Sequence, residues 1–372
     1  MSATATALRH LALLTGLVSS LLWAADEVKY ELQVVADGLD HPWSLSFLPD
    51  GRMLVTERAG RLRMISASGI MDSAPVRGVP RVFDRSQGGL FEAVPHPDFA
   101  NNGLIYLSYA WGDGDANGTR LARARLEGNA LRDLEVLFTV EPLKDTPVHY
   151  GGRLAFMPDG TLLLTTGDGF DYREQAQKLD SLLGKVVRLN DDGSIPADNP
   201  FVGQADARGE IYSYGHRNPQ GLLYDEESGT LYLHEHGPKG GDEINILEPG
   251  NNYGWPVITY GRDYSGATIS PYTEYEGMEQ PLIYWTPSIA PSGVTIYRGN
   301  EFPQWQGDLL VGALAGRQVR LVELDQGRVV GQQPLFTELG ERIRDVRSGP
   351  DGRLYLISDS SNGTLYRVVP KP

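Results

Sequence analysis

A strand–turn–strand unit recurs along the chain and restricts it to a repetitive, mostly β architecture. In three copies a Pro-Asp-Gly turn joins two short apolar runs, at residues 49–51, 158–160 and 350–352. Proline fixes φ at the start of such a turn and glycine supplies a positive φ, so each triplet predicts a tight reversal between strands. Six related units follow one another, starting near Asp40, Gly88, Asp145, Gly215, Ala290 and Arg342.

Repeats of this strand content are typical of β-propellers, in which each unit forms one blade around a central channel. The sequence therefore predicts an all-β, six-bladed β-propeller with four-stranded blades; a β-sandwich or two stacked β domains is the alternative. Helical periodicity is weak except at residues 174–183. The long segments 190–209 and 251–280 exceed hairpin loops and are expected to build a site on the ring.

Charge and composition exclude several classes of function. The 372 residues carry a formal net charge of −15, which argues against nucleic acid and anionic membrane surfaces, since both require a basic face. An anionic ligand would therefore need a local cluster of arginines. The chain has no cysteine, which excludes disulfides, thiolate metal sites and a cysteine nucleophile.

The N-terminus has the pattern of a secretory signal peptide. Arg9 and His10 precede an apolar run, residues 11–23, and Ala24-Ala25 leads into acidic residues. This predicts a signal peptide at residues 1–25, a mature propeller domain at residues 26–372, and a periplasmic or secreted location. An uncleaved anchor or a buried helix is the alternative. No other segment approaches transmembrane length, so membrane insertion is not expected.

His149 is the first candidate for chemistry, because imidazole titrates near neutrality and can accept a proton. It precedes a predicted strand and is followed by Tyr150 and two glycines, which allow a close approach of backbone or ligand. A histidine bonded within a loop is the alternative interpretation.

Three arginines are candidates for binding an anion. Arg342 and Arg344 flank Ile343 on a predicted strand, so they point to one side and suit a ligand with several carboxylates. Salt bridges to Asp345 or Glu341 would explain them equally well. Arg217 and Asn218 precede Pro219 and are expected at a loop rim, with a structural turn as the alternative.

Two metal hypotheses arise at residues 234–243. His234 and His236 lie two residues apart on a predicted strand and could bind a transition metal, but no third ligand is evident. Gly237 and Pro238 offer backbone carbonyls, and carboxylates follow at Asp242 and Glu243. Oxygen donors suit calcium, which is the favoured hypothesis.

At these residues the chain resembles the soluble quinoprotein glucose/sorbosone dehydrogenase family, and within it the bacterial PQQ-dependent aldose sugar dehydrogenases. The resemblance covers nearly the whole mature chain and implies a six-bladed propeller. It depends on separated motifs that occur in order: HPWSLSFLPDG, QGGLFEAVPHPDF, HYGGRLAFMPDG, GHRNPQGL, EHGPKGGDEIN, NNYGWP and RIRDV.

The resemblance implies roles for individual residues. His149 is similar to the base that takes the sugar hydroxyl proton, and Arg217 to the group beside the quinone oxygens. The positions that match PQQ-contacting residues are Gln87, Arg217, Asn218, Tyr264, Arg342 and Arg344. The positions that match calcium ligands are Gly237 and Pro238 for an active-site ion, and Glu243 and Tyr253 for a second, structural ion.

The sequence departs from the family pattern at two positions, and one further position is assigned by the resemblance. Ala315 stands where the family usually has a PQQ-binding lysine, and Arg317 is the nearest cation. Val148 replaces the acidic residue that precedes the histidine in glucose-oxidising members. The aromatic residue that stacks on PQQ is assigned to Trp285. These departures leave PQQ affinity and substrate preference open.

The function implied by the resemblance is PQQ- and calcium-dependent oxidation of an aldose sugar at its anomeric carbon to a lactone. Electrons would then pass to an external acceptor. A calcium-dependent propeller lactonase is the first alternative, but such a hydrolase has no evident use for three arginines. A binding propeller without activity is the second. The preferred aldose, the acceptor and the oligomeric state do not follow from the sequence.

Overall fold

The computed structural model of the protein describes residues 28–371. The predicted signal peptide, residues 1–25, lies outside this range, and its prediction therefore stands as made. Over the described range, no helix combines the length and the apolar character needed to cross a membrane.

Six antiparallel sheets, here called blades 1–6, form the propeller in residues 28–371, which confirms the predicted fold. The first strand, β1 (Tyr30–Leu39), belongs to blade 6, the last in the chain. Blade 1 is formed by β2 (Pro42–Phe47), β3 (Met53–Glu57) and β4 (Arg61–Ile65). Blade 2 is formed by β5 (Leu90–Pro95), β6 (Leu104–Gly112), β7 (Asn117–Glu127) and β8 (Ala130–Thr139). Blade 3 is formed by β9 (Gly151–Phe156), β10 (Leu162–Thr166), β11 (Lys185–Leu189) and β12 (Ile211–Tyr214).

The remaining three blades follow the same order along the chain. Blade 4 is formed by β13 (Pro219–Asp225), β14 (Thr230–Glu235), β15 (Asp242–Ile246) and β16 (Ile283–Trp285). Blade 5 is formed by β17 (Pro291–Ile296), β18 (Leu309–Ala313), β19 (Gln318–Asp325) and β20 (Arg328–Leu335). Blade 6 is formed by β21 (Ile343–Ser348), β22 (Leu354–Ser358), β23 (Gly363–Pro370) and β1.

The ring is ordered around the first strand of each blade. β2, β5, β9, β13, β17 and β21 contact one another in this cyclic order, and β21 contacts β2 to close the circle. These six strands therefore line the centre, while β4, β8, β12, β16, β20 and β1 lie at the rim. Hydrophobic clusters join neighbouring blades, as where Tyr106 of blade 2 packs with Leu154 and Leu164 of blade 3.

Blade 1 differs from the predicted four-stranded pattern. Its sheet contains β2, β3 and β4, whereas each of the other five described sheets has four strands. An isolated antiparallel bridge between Ile65 and Met71 occupies the place of the missing strand. The segment that follows carries Pro75 and Pro80, which cannot donate to a sheet ladder.

The three Pro-Asp-Gly turns have the predicted geometry. Gly51, Gly160 and Gly352 have φ of 84°, 82° and 76°. In each turn the aspartate carboxylate also accepts a hydrogen bond from the backbone N–H two residues later, at 2.9–3.1 Å. The turn is thus specified twice, by glycine φ and by an aspartate side chain.

Helical structure is sparse within the described residues, as the weak periodicity indicates. The predicted helix at residues 174–183 forms only a short 3₁₀ helix, Arg173–Gln177. The other short helices are α1 (Phe99–Asn102) and two further 3₁₀ segments, Pro303–Trp305 and Thr337–Leu339.

Candidate active site

The predicted site residues gather because of their position relative to the inner strands. His149 precedes β9, Arg217 and Asn218 precede β13, and Arg342 precedes β21. The inner strands surround one channel and each opens its blade, so residues at their starts come together at one end of the ring. Two adjoining cavities occupy this end.

The larger cavity has a volume of about 440 Å³ and a cationic lining. Three arginines, Arg58, Arg342 and Arg344, face it together with one carboxylate, Asp359, as far as the described residues show. Aromatic and amide side chains complete the wall, namely Trp43, Phe91, Tyr150, Gln87, Asn218 and Gln220. A net positive, partly aromatic cavity in a chain of charge −15 suits a flat anion.

Arg342 and Arg344 share one carboxylate. Both donate to Oδ2 of Asp359, at 2.9 and 3.0 Å, while Ile343 between them is fully buried. The alternative partners have other contacts: Asp345 accepts from Arg347, and Glu341 accepts from the hydroxyl of Tyr366. Asp359 is therefore the counter-ion that lets two guanidinium groups lie side by side.

Arg344 retains hydrogen-bonding capacity toward the cavity. Its Nε is buried and has no hydrogen-bond partner among the described residues. A single carboxylate also leaves the Arg342–Arg344 pair with one unit of uncompensated charge. An unpaired buried donor costs free energy, so an anionic ligand that accepts from it would be stabilised. The lining therefore fits the carboxylates of PQQ.

The smaller cavity has a volume of about 180 Å³ and contains His149. Arg217, Pro238, Trp255 and Tyr264 line it as well, so four predicted site residues meet here. Acidic and basic side chains form the remainder of its polar lining, namely Asp168, Asp171, Arg173 and Asp263.

His149 is held by a buried carboxylate. Its Nδ1 lies 2.7 Å from Oδ1 of Asp168, and Oδ2 of Asp168 accepts from the Trp255 indole at 2.7 Å. Burial opposes the charge of Asp168, but hydrogen bonds from the His149 ring and the Phe170 backbone, together with the charge of Arg217, keep the pKa of Asp168 below its usual value. The ionised Asp168 accepts a hydrogen bond from Nδ1–H of His149, which leaves Nε2 as the free base.

The pKa of His149 is lowered, chiefly by burial of the ring. Asp168 opposes this by favouring the charged imidazole, whereas the charges of Arg217 and Lys144 lower the pKa further. The ring also packs edge-on against Phe170, with centroids 5.3 Å apart. The imidazole is therefore neutral at neutral pH, the form in which it can accept a proton.

Two hydrogen bonds connect the cavities. The side-chain oxygen of Gln87 accepts from the backbone N–H of His149 at 2.9 Å. The side-chain oxygen of Asn218 accepts from the backbone N–H of Gly151 at 3.2 Å. Gln87 and Asn218 both line the larger cavity, so they fix the segment that carries the histidine.

The two glycines after His149 have a packing role. Gly151 and Gly152 have φ of 67° and 99°. A Cβ at Gly152 would lie 2.7 Å from the ring of Phe91, and one at Gly151 would lie 2.6 Å from the carbonyl of Thr165. The backbone here packs against the neighbouring inner strand and its own blade, and this contact fixes the direction of His149.

Arg217 lies between the base and the predicted calcium ligands. Its guanidinium donates to the carbonyls of His236 and Gly237, at 3.0 and 2.9 Å. The ring of Trp255 lies 5.3 Å from it, and that of Tyr264 lies 6.0 Å away. Burial lowers the pKa of His236 to about 3, and the charges of Arg217 and Arg344 lower it further.

The donors at Gly237 and Pro238 suit calcium by chemistry. They are backbone oxygens, and residues 28–371 contain no cluster of three or more His, Asp or Glu side chains arranged for a metal ion. The guanidinium of Arg217, which donates to the Gly237 oxygen, is positively charged and would repel a cation bound at the same atom. Calcium there would compete with the Arg217 guanidinium for the Gly237 oxygen.

A third, small cavity brings Glu243 and Tyr253 together. Glu243 lies directly opposite Glu235 in the β14–β15 ladder, and both carboxylates face this cavity. Burial and the charge of Glu235 raise the pKa of Glu243 to about 8. A cation would relieve this repulsion, so the oxygen donors are chemically compatible with a second calcium.

The structure corrects one assignment and specifies two others. Trp285 lies in β16 at the rim, within the cluster between blades 4 and 5, and lines neither of the two cavities; Trp43 lines the larger cavity instead. His234 and His236 bond separate carbonyls through Nε2, so they do not present a pair of free ligands. Arg317 donates to the Gly340 carbonyl and lines a pocket that also contains Arg342.

Among the site residues that were not predicted from the sequence, three bond directly to ones that were or to one another. Asp168 holds His149, Trp255 holds Asp168, and Asp359 holds Arg342 and Arg344. Asp168 follows a predicted strand and Trp255 lies in the NNYGWP motif, but neither has a local signal for its partner. The contacts join residues 19, 87 and 17 positions apart.

Comparison with known proteins agrees with this geometry. A family model described as Glucose / Sorbosone dehydrogenase matches residues 39–367. Aldose sugar dehydrogenase YliI of Escherichia coli (strain K12) is 46% identical over 361 residues, covering 95% of this chain and 96% of that protein.

Two solved structures share the fold over nearly the whole chain. The apo-form of the soluble aldose sugar dehydrogenase of E. coli has a TM-score of 0.89 and 44% identity, covering 92% of this chain and 100% of that one. The PQQ-bound aldose sugar dehydrogenase of Streptomyces coelicolor has a TM-score of 0.75 and 27% identity, covering 92% and 99%. This protein belongs to the glucose/sorbosone dehydrogenase family.

Proposed function

We propose that this protein is a PQQ- and calcium-dependent dehydrogenase that oxidises aldose sugars at the anomeric carbon to lactones. One observation carries the proposal: a base held by a buried carboxylate adjoins a cavity whose lining has an excess of arginine. The family membership and the PQQ-bound Streptomyces relative support it.

PQQ, when bound, supplies a quinone that accepts the two electrons of the oxidation, and calcium polarises its carbonyl. We assign the larger cavity to PQQ. Arg342 and Arg344 would bind its carboxylates, and Gln87, Asn218 and the exposed ring of Tyr264 would also contact it. The reduced enzyme then requires an external electron acceptor, and we expect it to work in the periplasm or outside the cell.

His149 is the proposed base. Conversion of the cyclic sugar to a lactone removes two electrons and two protons, one of them from the anomeric hydroxyl. Nε2 of His149 accepts this proton, since Nδ1 is engaged with Asp168. Arg217, whose guanidinium faces the same cavity, stabilises negative charge that develops on oxygen during the reaction.

We assign the carbonyls of Gly237 and Pro238 to the active-site calcium, and Glu243 and Tyr253 to a second, structural calcium. The first assignment puts a cation at an oxygen that accepts a hydrogen bond from Arg217 in this structure. A calcium-dependent lactonase would use the same metal and histidine, but it would leave the arginines of the larger cavity without a role.

The test is the replacement His149→Ala, with PQQ and calcium supplied in excess. We expect sugar-dependent dye reduction to fall by about 10²–10⁴-fold, the usual contribution of a general base. The absorption change on titrating the protein with PQQ should be retained, since His149 does not line the larger cavity.

His96→Ala is the matched control, because His96 lies outside both cavities and should leave turnover unchanged. Turnover near the wild-type rate in His149→Ala would remove the base assignment. If the wild type hydrolyses lactones and shows no PQQ-dependent absorption change, the dehydrogenase assignment is wrong and the lactonase assignment takes its place.

A further inference from the structure

An open groove of about 430 Å³ lies beside the active-site cavities, at the rim of blade 4. One wall is the outer strand β16 and the other is the segment 259–273. Its lining residues include Tyr260, Arg262, Thr268, Ser270, Tyr284 and Thr286. None of the assignments above uses this groove.

A stacked aromatic pair lies in the groove. The rings of Tyr260 and Tyr284 are nearly parallel, at 9°, and their centroids are 3.8 Å apart. The hydroxyl of Tyr260 donates to Gln280 at 2.7 Å, which holds that ring in place. Tyr284 is 46% exposed although Tyr260 covers one of its faces, so the remaining ring surface is open to a ligand.

The polar groups around the pair are uncharged except for one guanidinium. Hydroxyl groups of threonine, serine and tyrosine dominate the lining, and no carboxylate of the described residues is among them. The hydroxyls of Thr259, Ser270 and Thr286 already bond within the chain, which leaves Thr268 and Thr273 as the lining threonines whose hydroxyls are unused among residues 28–371. Arg262 is exposed, and its guanidinium has no hydrogen bond or ion pair to residues 28–371. Such a lining offers donors and acceptors around an aromatic surface, without a charge requirement.

The groove is adjacent to the smaller cavity along the chain and in space. Arg262 lines the groove, while the next two residues, Asp263 and Tyr264, line the cavity that contains His149. Pro238 of the cavity also packs against Gly261 of the groove, since a Cβ at Gly261 would lie 2.8 Å from its ring. A ligand longer than one sugar unit could therefore extend from one to the other.

We propose that this groove is an accessory carbohydrate subsite that binds a neutral sugar unit remote from the anomeric carbon. The proposal rests on the proposed function, to which it adds a binding subsite for oligosaccharides oxidised at their reducing end. A sugar ring combines a face of C–H groups with hydroxyls at its edge. The face packs on the Tyr284 ring, and the hydroxyls bond to Arg262, Thr268 and Thr273.

The first experiment measures binding without turnover. Maltotriitol, a trisaccharide whose reducing end is an alditol, has no anomeric carbon to oxidise at that end. Isothermal titration of the full chain, with PQQ and calcium, is expected to show maltotriitol binding that weakens about tenfold in Tyr284→Ala. Tyr284→Phe keeps the ring and should retain binding.

The matched control is Tyr275→Ala, which removes another exposed tyrosine of the same loop that does not line the groove. It should leave maltotriitol binding unchanged. No binding to the wild type, or equal binding to the wild type and Tyr284→Ala, would overturn the proposal.

The second experiment compares substrates in the loaded enzyme. In Tyr284→Ala the KM for maltotriose should rise about tenfold, while the KM for glucose and both kcat values stay unchanged. An equal rise of KM for both sugars would overturn the subsite. If no sugar is oxidised, the proposed function fails, but maltotriitol binding still decides whether the groove binds carbohydrate.

Discussion

At the scale of single residues, Asp168 determines what His149 can do. It is fully buried and ionised, and its oxygens accept from the His149 ring, the Phe170 backbone and the Trp255 indole. Burying a carboxylate is costly unless every oxygen is satisfied, so these donors are needed for its charge to persist. In the proposed reaction Asp168 is a positioning residue, since it would act on the substrate only through the imidazole.

Replacing this carboxylate by an amide tests that role. In Asp168→Asn we expect kcat to fall by about a hundredfold, because the amide no longer fixes the Nδ1 proton and leaves Nε2 free. Asp168 raises the pKa of His149, so its loss should lower that pKa further. The acid limb of the pH profile of kcat/KM should then move to lower pH, although the enzyme is slower.

Asp171→Asn is the control, because Asp171 lines the same cavity without bonding His149. It should leave the position of the acid limb unchanged. An acid limb at the wild-type pH in Asp168→Asn, or one that moves upward, would contradict the assigned role.

Local sequence identifies the candidate side chains of the site but not the groups that hold them. His149, Arg217, Arg342 and Arg344 stand in short motifs next to predicted strands, so their gathering follows from the propeller prediction. Asp168 and Asp359 are one blade strand away from their partners, and either could equally have faced solvent. Which carboxylate pairs with which cation depends on register and side-chain packing, which the sequence alone does not specify.

At the scale of elements, the Pro-Asp-Gly turns show why part of the fold is predictable. Glycine φ and the aspartate hydrogen bond are both local, so the turns at residues 49–51, 158–160 and 350–352 follow directly from sequence. The three-stranded blade 1 does not, because loss of a rim strand depends on contacts along a whole segment. The helix predicted at residues 174–183 likewise forms only a 3₁₀ turn, because the surrounding structure outweighs a weak helical pattern.

Gly160 isolates the contribution of a positive φ to such a turn. Its φ is 82°, and a Cβ there would meet no atom within 4 Å, so Gly160→Ala adds backbone strain without a clash. We expect the free energy of unfolding to fall by about 1–2 kcal/mol, measured by urea denaturation, with sugar oxidation unchanged.

Gly209→Ala serves as the comparison. Its backbone is outside the positive-φ region, and a Cβ there would make ordinary contacts at 3.5 Å. This replacement should be neutral or slightly stabilising, since alanine restricts the unfolded chain. Equal losses in the two variants would show that the turn does not depend on glycine φ.

At the scale of the whole molecule, the ring brings arginines together in one cavity and is closed by the pairing of β1 with β23. A chain of net charge −15 presents three arginines in one cavity because separate blades contribute them. The number of blades could be predicted by counting repeats in the sequence, but the strand pairing that closes the ring could not. β1 pairs with β23, placing Tyr30 opposite Pro370, and no local pattern links strands so far apart in sequence.

Closure by β1 should therefore carry a large part of the stability. Beside its ladder with β23, β1 contributes Ala36 and Leu39 to a core cluster with Ile357 and Leu365 of blade 6, and Leu39 is fully buried. Loss of one buried leucine side chain typically costs about 2–5 kcal/mol. A chain that begins at residue 40 should lose at least about 3 kcal/mol of unfolding free energy against one that begins at residue 28.

Urea denaturation of the two chains measures the difference, and hydrogen exchange locates it. Amides of β23 should lose protection when β1 is absent, because β23 becomes the rim strand of blade 6. Amides of β14, in the central part of blade 4, should change less, because that blade keeps all of its strands. Equal unfolding free energies and unchanged β23 protection would mean that packing between blades holds the ring without its closing strand.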